Sequence, residues 1–301
     1  MSILTALLAA RGSAELIYGS FNNSNDVVSF DTANTGTLIT DYRLSGPPPT
    51  NSSDIILGFA VRSETGQLYG VSGTGIYTID PDTGLKTLVA QSPLPTPSDE
   101  VMGAAFQPGT DNLFVTFSLT RSLLEVNVET GVTTNLGPLV FAPTDANAGK
   151  NTVLEGLTWG TPTGSTTPAL YGVDTTVGLV AINSSNGLKT TIGPIPAFVG
   201  SSSGAGFTYS DLTGTAYLDF AKSDSGGTVD QFLYTIDLRS GQTALVGAVD
   251  HFPPGILQIA AVNAQATPEP STLFLFASGT VALLILVALN SGPAANPVVR
   301  A

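Results

Sequence analysis

Apolar and polar residues alternate along most of the chain in short runs, the period-two pattern of strands with one face buried. No window keeps apolar residues at i, i+3, i+4 and i+7 before Gly or Pro interrupts, so the body predicts no helix. One unit recurs five times: a strand, then Asp or Asn, a few residues, then Gly. Its copies are VVSFDTANTG ending at Gly36, IYTIDPDTG at Gly84, LLEVNVETG at Gly131, LVAINSSNG at Gly187 and LYTIDLRSG at Gly241. Asp or Asn bonds the backbone two residues on, and Gly takes the positive φ of a tight turn. The first copy carries one extra residue between Asp31 and Gly36.

A strand precedes each copy (ELIYGS, QLYGVS, NLFVTF, ALYGVD, TAYLDF) and another follows (GTLITDY, LKTLVA, VTTNLG, LKTTIG, QTALVG). A fourth kind stands between units: IILGFAV from Ile55, VMGAAF from Val101, LEGLTWG from Leu154, GAGFTYS from Gly204 and ILQIAAV from Ile256. These runs are almost continuously apolar and rich in Gly and Ala, as suits strands buried on both faces. The order is three strands, four complete sets of four, and a lone fourth-kind strand at Ile256–Val262. Four-stranded antiparallel units about 50 residues long are the blades of a β-propeller. Residues 15–263 therefore predict an all-β, five-bladed β-propeller in which the last strand completes the first blade, a 3+1 closure that leaves no open edge at the junction.

The second copy, with Leu68-Tyr69-Gly70-Val71 and Ile76 to Gly84, resembles the DUF4394-type domain, a bacterial propeller family without an assigned activity. The resemblance implies a fold and no chemistry.

Outside the body the pattern changes. Residues 273–289 (LFLFASGTVALLILVAL) carry no charge and, with Ser271 and Thr272, approach the roughly 20 residues of a bilayer-crossing helix. A C-terminal transmembrane helix is expected there, after a linker at 264–272 and before a short tail at 290–301. Pro268-Glu269-Pro270 directly before such a span resembles a PEP-CTERM sorting signal. That resemblance implies recognition by an exosortase, a membrane protease-transpeptidase of bacteria that make exopolysaccharide; a plain tail anchor is the alternative. The family's tail is usually Arg-rich, whereas this one has Arg300 alone. Residues 1–14 have a short apolar run and small residues before Glu15, and read as a signal-peptide remnant or a disordered arm. The expected location is the inner membrane with the propeller on the periplasmic side, or release to the cell surface or matrix.

Composition narrows the chemistry. With no Cys and one His, thiolate zinc sites, redox dithiols and multi-histidine metal centres are excluded. A net charge of −13, with 23 acidic against 10 basic residues and no basic cluster, argues against nucleic acid.

In a propeller the connections from the outermost strand of one blade to the innermost of the next emerge on one face. Here they are long, beginning at Arg43, Gln91, Gly137, Gly193 and Gly247. They either carry binding or only span the distance from rim to axis. Asp54, Asp99, Glu100 and Glu155 fall at the starts of inner strands, near the axial mouth. Such carboxylates satisfy backbone donors, hold a Ca²⁺ ion, or act as an acid–base pair on a glycoside. Asp80-Pro81-Asp82-Thr83-Gly84 echoes half a calcium loop but reads better as a hairpin turn, and Gly73-Thr74-Gly75 precedes a strand, unlike a dinucleotide fingerprint. His251 has no nucleophile motif to serve and reads as a loop residue. Tyr42, Phe141, Phe198, Trp159 and Phe252 are aromatic candidates for sugar stacking, with Trp159 placed in the core. No cofactor beyond that candidate Ca²⁺ is implied. The expected function is an exported propeller with a structural, adhesive or polysaccharide-binding role, engaging polysaccharide or a matrix protein. The alternative is a glycoside hydrolase or lyase acting on exopolysaccharide.

Overall fold

The computed structural model describes residues 14–21, 25–46, 55–73, 75–91, 100–198, 201–223, 229–249 and 256–262. The linker, the apolar run 273–289, the tail and residues 1–13 lie outside the described residues. Among the described residues no helix is long and apolar enough to cross a membrane.

Among the described residues, twenty-one strands form five sheets. Blade one contains β1 (Leu16–Phe21), β2 (Asp26–Asp31) and β3 (Asn34–Arg43), and blade two β4 (Ile56–Arg62), β5 (Gln67–Ser72), β6 (Gly75–Ile79) and β7 (Lys86–Gln91). Blade three is β8 (Val101–Phe106), β9 (Asn112–Phe117), β10 (Ser122–Asn127) and β11 (Thr133–Pro138). After the two-residue strand β12 (Val140–Phe141), blade four follows as β13 (Leu154–Gly160), β14 (Ala169–Asp174), β15 (Gly178–Ile182) and β16 (Leu188–Gly193). Blade five is β17 (Ser201–Ser210), β18 (Thr215–Ser223), β19 (Val229–Ile236) and β20 (Thr243–Ala248). The last strand, β21 (Ile256–Val262), pairs antiparallel with β1 from Leu16↔Val262 onward and becomes the fourth strand of blade one. The five sheets, their antiparallel order and the closure are those the repeats predict.

The inner strands β21, β4, β8, β13 and β17 touch their neighbours around the ring. Their small residues make this approach possible. A Cβ on Gly103 would lie 2.7 Å from Leu157 Cβ, and one on Gly156 2.7 Å from Phe207 Cβ. Between blades the core is filled by interleaved apolar side chains, such as Phe106, Leu113 and Val126 against Tyr69 and Val71.

The turn signature has the geometry expected of it. Asp80 Oδ1 accepts the Asp82 N–H at 2.9 Å and its Oδ2 accepts the Thr83 hydroxyl at 2.7 Å, which holds the carboxyl below the usual carboxylate range. The half calcium loop is thus a hairpin turn. Gly84, Gly131, Gly187 and Gly241 have φ between 69° and 76°. Blade one departs from the pattern. Its turn is the pair Thr32–Ala33, capped by Asp31 Oδ1 on the Ala33 N–H at 2.7 Å, and Gly36 lies inside β3. Two register shifts, either side of Phe30, absorb the extra residue.

The second departure is β12. It pairs in parallel with β16 (Val140↔Leu188, Phe141↔Lys189), giving blade four a fifth, outermost strand drawn from the preceding crossing. A single parallel bridge, Ser45↔Leu85, makes the same contact between blades one and two.

Candidate functional site

Each inner strand starts at the long-crossing end, and all five break register there, β17 against β18 and β21 against β1 included. The ladder of β13 shifts between Leu154 and Gly156, that of β4 between Ile56 and Gly58, and that of β8 between Val101 and Gly103. The extra residue of a bulge stands out of the pleat, which re-aims its side chain. In β4, β8 and β13 those residues are Leu57, Met102 and Glu155, each half-buried at the axial mouth. Gln258 of β21 reaches across to blade three and donates from Nε2 to the Met102 carbonyl at 3.0 Å.

Of the four carboxylates expected at this mouth, Asp54 and Asp99 lie outside the described residues, as do His251, Phe252 and Pro268-Glu269-Pro270. Glu100 is exposed and its carbonyl accepts the Ser118 N–H at 3.0 Å. Glu155 is half-buried. Burial raises its pKa, and the neighbouring charge of Asp174 adds to the rise. Among the described residues no three His, Cys, Asp or Glu side chains gather to hold a metal ion.

Asp174, at the end of β14, is not a free partner for Glu155. It is fully buried and bonded to Lys189 Nζ at 2.8 Å, to the Thr152 hydroxyl, and to the Thr176 and Val177 N–H groups at 3.0 and 3.3 Å. Lys189, on β16, is 1% exposed; it also donates to Thr152 Oγ1 at 2.7 Å and lies 4.2 Å from the centre of the Phe141 ring. A buried ion pair survives only when desolvation is offset by further hydrogen bonds, and this one has them. Phe141 and Thr152 belong to the crossing 139–153, so the buried charge fastens that crossing onto blade four. Asp145 strengthens the fastening, accepting the Thr191 N–H at 2.7 Å and its hydroxyl at 3.0 Å, which lowers the Asp145 pKa.

This cluster is absent from the sequence-derived candidates. Its signal is in the repeats: Lys86 and Lys189 occupy the same place in LKTLVA and LKTTIG, where two other copies have Thr. Lys86 is also fully buried, 4.8 Å from the centre of the Tyr77 ring.

Towards the other end of the axis the inner strands close in. Phe59, Leu157 and Phe207, with Trp159 and Tyr209 beyond them, leave a cavity of about 40 Å³. That admits a water molecule or two and no sugar ring. Trp159 lies in the core as expected, edge-on to Phe114 at 5.4 Å, and Phe141 and Phe198 are buried as well. Tyr42 stays partly open on the outer strand of blade one.

Five blades of four antiparallel strands in a ring, one of them extended by β12, with the first and last strands sharing one sheet, define a five-bladed β-propeller. The profile of the family described as "Domain of unknown function (DUF4394)" matches residues 26–260, and the chain belongs to that family. No curated protein matches it. Among solved structures it is similar to a chain of a nidogen/laminin complex, at 12% identity and a TM-score of 0.47 over 84% of this chain and 100% of that one. It is also similar to a protein of unknown function from Bacteroides caccae, at 12% identity and a TM-score of 0.43 over 83% and 100% of the two chains.

Proposed function

We propose that this chain is an exported propeller, tethered at the cell envelope through its C-terminal segment and processed there by an exosortase. Its role on this reading is structural or adhesive, engaging polysaccharide or a matrix protein. The observation that carries the reading is Pro268-Glu269-Pro270 directly before the charge-free run 273–289. Binding is favoured over hydrolysis because Asp174, the carboxylate acting on Glu155, is committed to Lys189 and Thr152. A glycosidase needs both members of its pair available to substrate or water.

Mass spectrometry of the mature protein tests the tether. A C-terminus ending near Pro270 in surface or matrix fractions is expected, and an intact Arg300 end in those fractions contradicts processing. The hydrolase or lyase reading has one observation in its favour, the raised pKa of Glu155 at the axial mouth, a property of general acids. Exopolysaccharide cleavage lost in Glu155→Gln would restore it.

A further inference from the structure

A groove of about 630 Å³ opens at the junction of blades three and four, within the 300–1,000 Å³ range of small-molecule sites. Trp159 forms part of its lining, with Leu170 and Ile182 as apolar neighbours, and Gln107, Ser184 and Thr190 supply polar groups. Ala142, from the crossing held by the Lys189 cluster, contributes one side. Among the described residues no charged side chain lines the groove, although the whole chain carries −13. Also among the described residues, the Gln107 amide and the Ser184 and Thr190 hydroxyls have no hydrogen-bond partner in the protein, nor has the buried Trp159 Nε1.

We propose that this groove binds a neutral saccharide. Sugar rings present apolar C–H faces that pack on aromatic and aliphatic side chains, and hydroxyls that pair with amides and other hydroxyls. An ionic ligand would leave water for a site without a counter-charge, which is costly. The proposal rests on the polysaccharide-binding reading for its ligand class and moves binding away from the axial mouth to a junction between two blades.

Trp159 is the chain's single tryptophan, so its fluorescence reports on this groove without labelling. The full chain is titrated with maltose, cellobiose and lactose, and with a glucuronic-acid disaccharide as the charged control. At least one neutral probe is expected to shift the emission saturably, and the acidic one to leave it unmoved. Gln107→Ala and Thr190→Ala each remove a group that makes no side-chain hydrogen bond within the chain. Each is expected to weaken binding about three- to tenfold, the worth of one neutral hydrogen bond, with melting unchanged. Emission indifferent to every neutral probe, or equally responsive to the acidic one, overturns the proposal. Calorimetric binding of neutral sugars that both variants leave intact overturns the groove while sparing the polysaccharide reading. The tether is judged separately, by the mature C-terminus.

Discussion

Two fully buried carboxylates in this propeller meet burial in opposite ways. Asp174 keeps company with an ammonium and three further donors, whereas Asp219 has only the Gly206 N–H at 2.9 Å and Gln231 Nε2 at 2.6 Å. Burial therefore pushes the Asp219 pKa from 3.8 up to about 8, against the smaller opposing effect of those two bonds. The folded chain holds a proton that the unfolded chain releases, so stability falls as pH rises from about 4 towards 8 and levels off beyond. Below the unfolded value the contribution is whole. Asp219→Asn, which stays neutral throughout, is expected to reduce that slope. Melting temperatures of both proteins from pH 4 to 9 provide the check, and parallel curves would show that Asp219 ionises normally.

Among the elements, the repeated turns carry more than local geometry. Gly187 and Gly131 share a φ of 72°, yet a Cβ on Gly187 would lie 2.9 Å from the Pro138 carbonyl oxygen, whereas one on Gly131 meets nothing within 4 Å. Gly131→Ala should cost about 1 kcal/mol, the price of a left-handed backbone alone. Gly187→Ala adds a clash with the end of the preceding blade and should cost at least about 1–2 kcal/mol more, read from urea unfolding. Equal costs would mean that the blades part freely at that seam. The contrast also shows what the sequence discloses. Turns were legible because Asp80 bonding Asp82 and Thr83 is chemistry within four residues. Inner strands were legible because Gly and Ala are needed wherever backbones crowd. The partnership of Lys189 with Asp174 and Thr152 was not, because it joins two strands and a crossing. The parallel addition of β12 likewise depends on where blade three ends in space. Glu155 owes its distinctive environment to a bulge that no residue type announces.

For the whole molecule, the decisive element is one short strand: the seven residues of β21 finish a sheet begun some 240 positions earlier. Ile259, Ala260 and Ala261 are buried, packed with Ile17, Tyr18 and Phe30 of their own sheet and with Phe59 and Leu233 of the adjoining blades. A chain ending at residue 255 exposes those partners together with the backbone edge of β1. It is expected to lose its single cooperative melting transition and to aggregate. A chain ending at 262 keeps the complete set of strands and should melt as sharply as the full body. Identical behaviour of the two truncations would remove β21 from its closing role.

Leu16 and Val262 sit opposite each other, a single interstrand spacing apart, on the two innermost strands of blade one. Opposing pulls on the two ends would peel that pair of strands apart one rung at a time, starting from Leu16 and Val262, so the ring has a built-in mechanical fuse. A cut just after position 262 leaves all five sheets complete, while one a few residues earlier undoes the clasp itself.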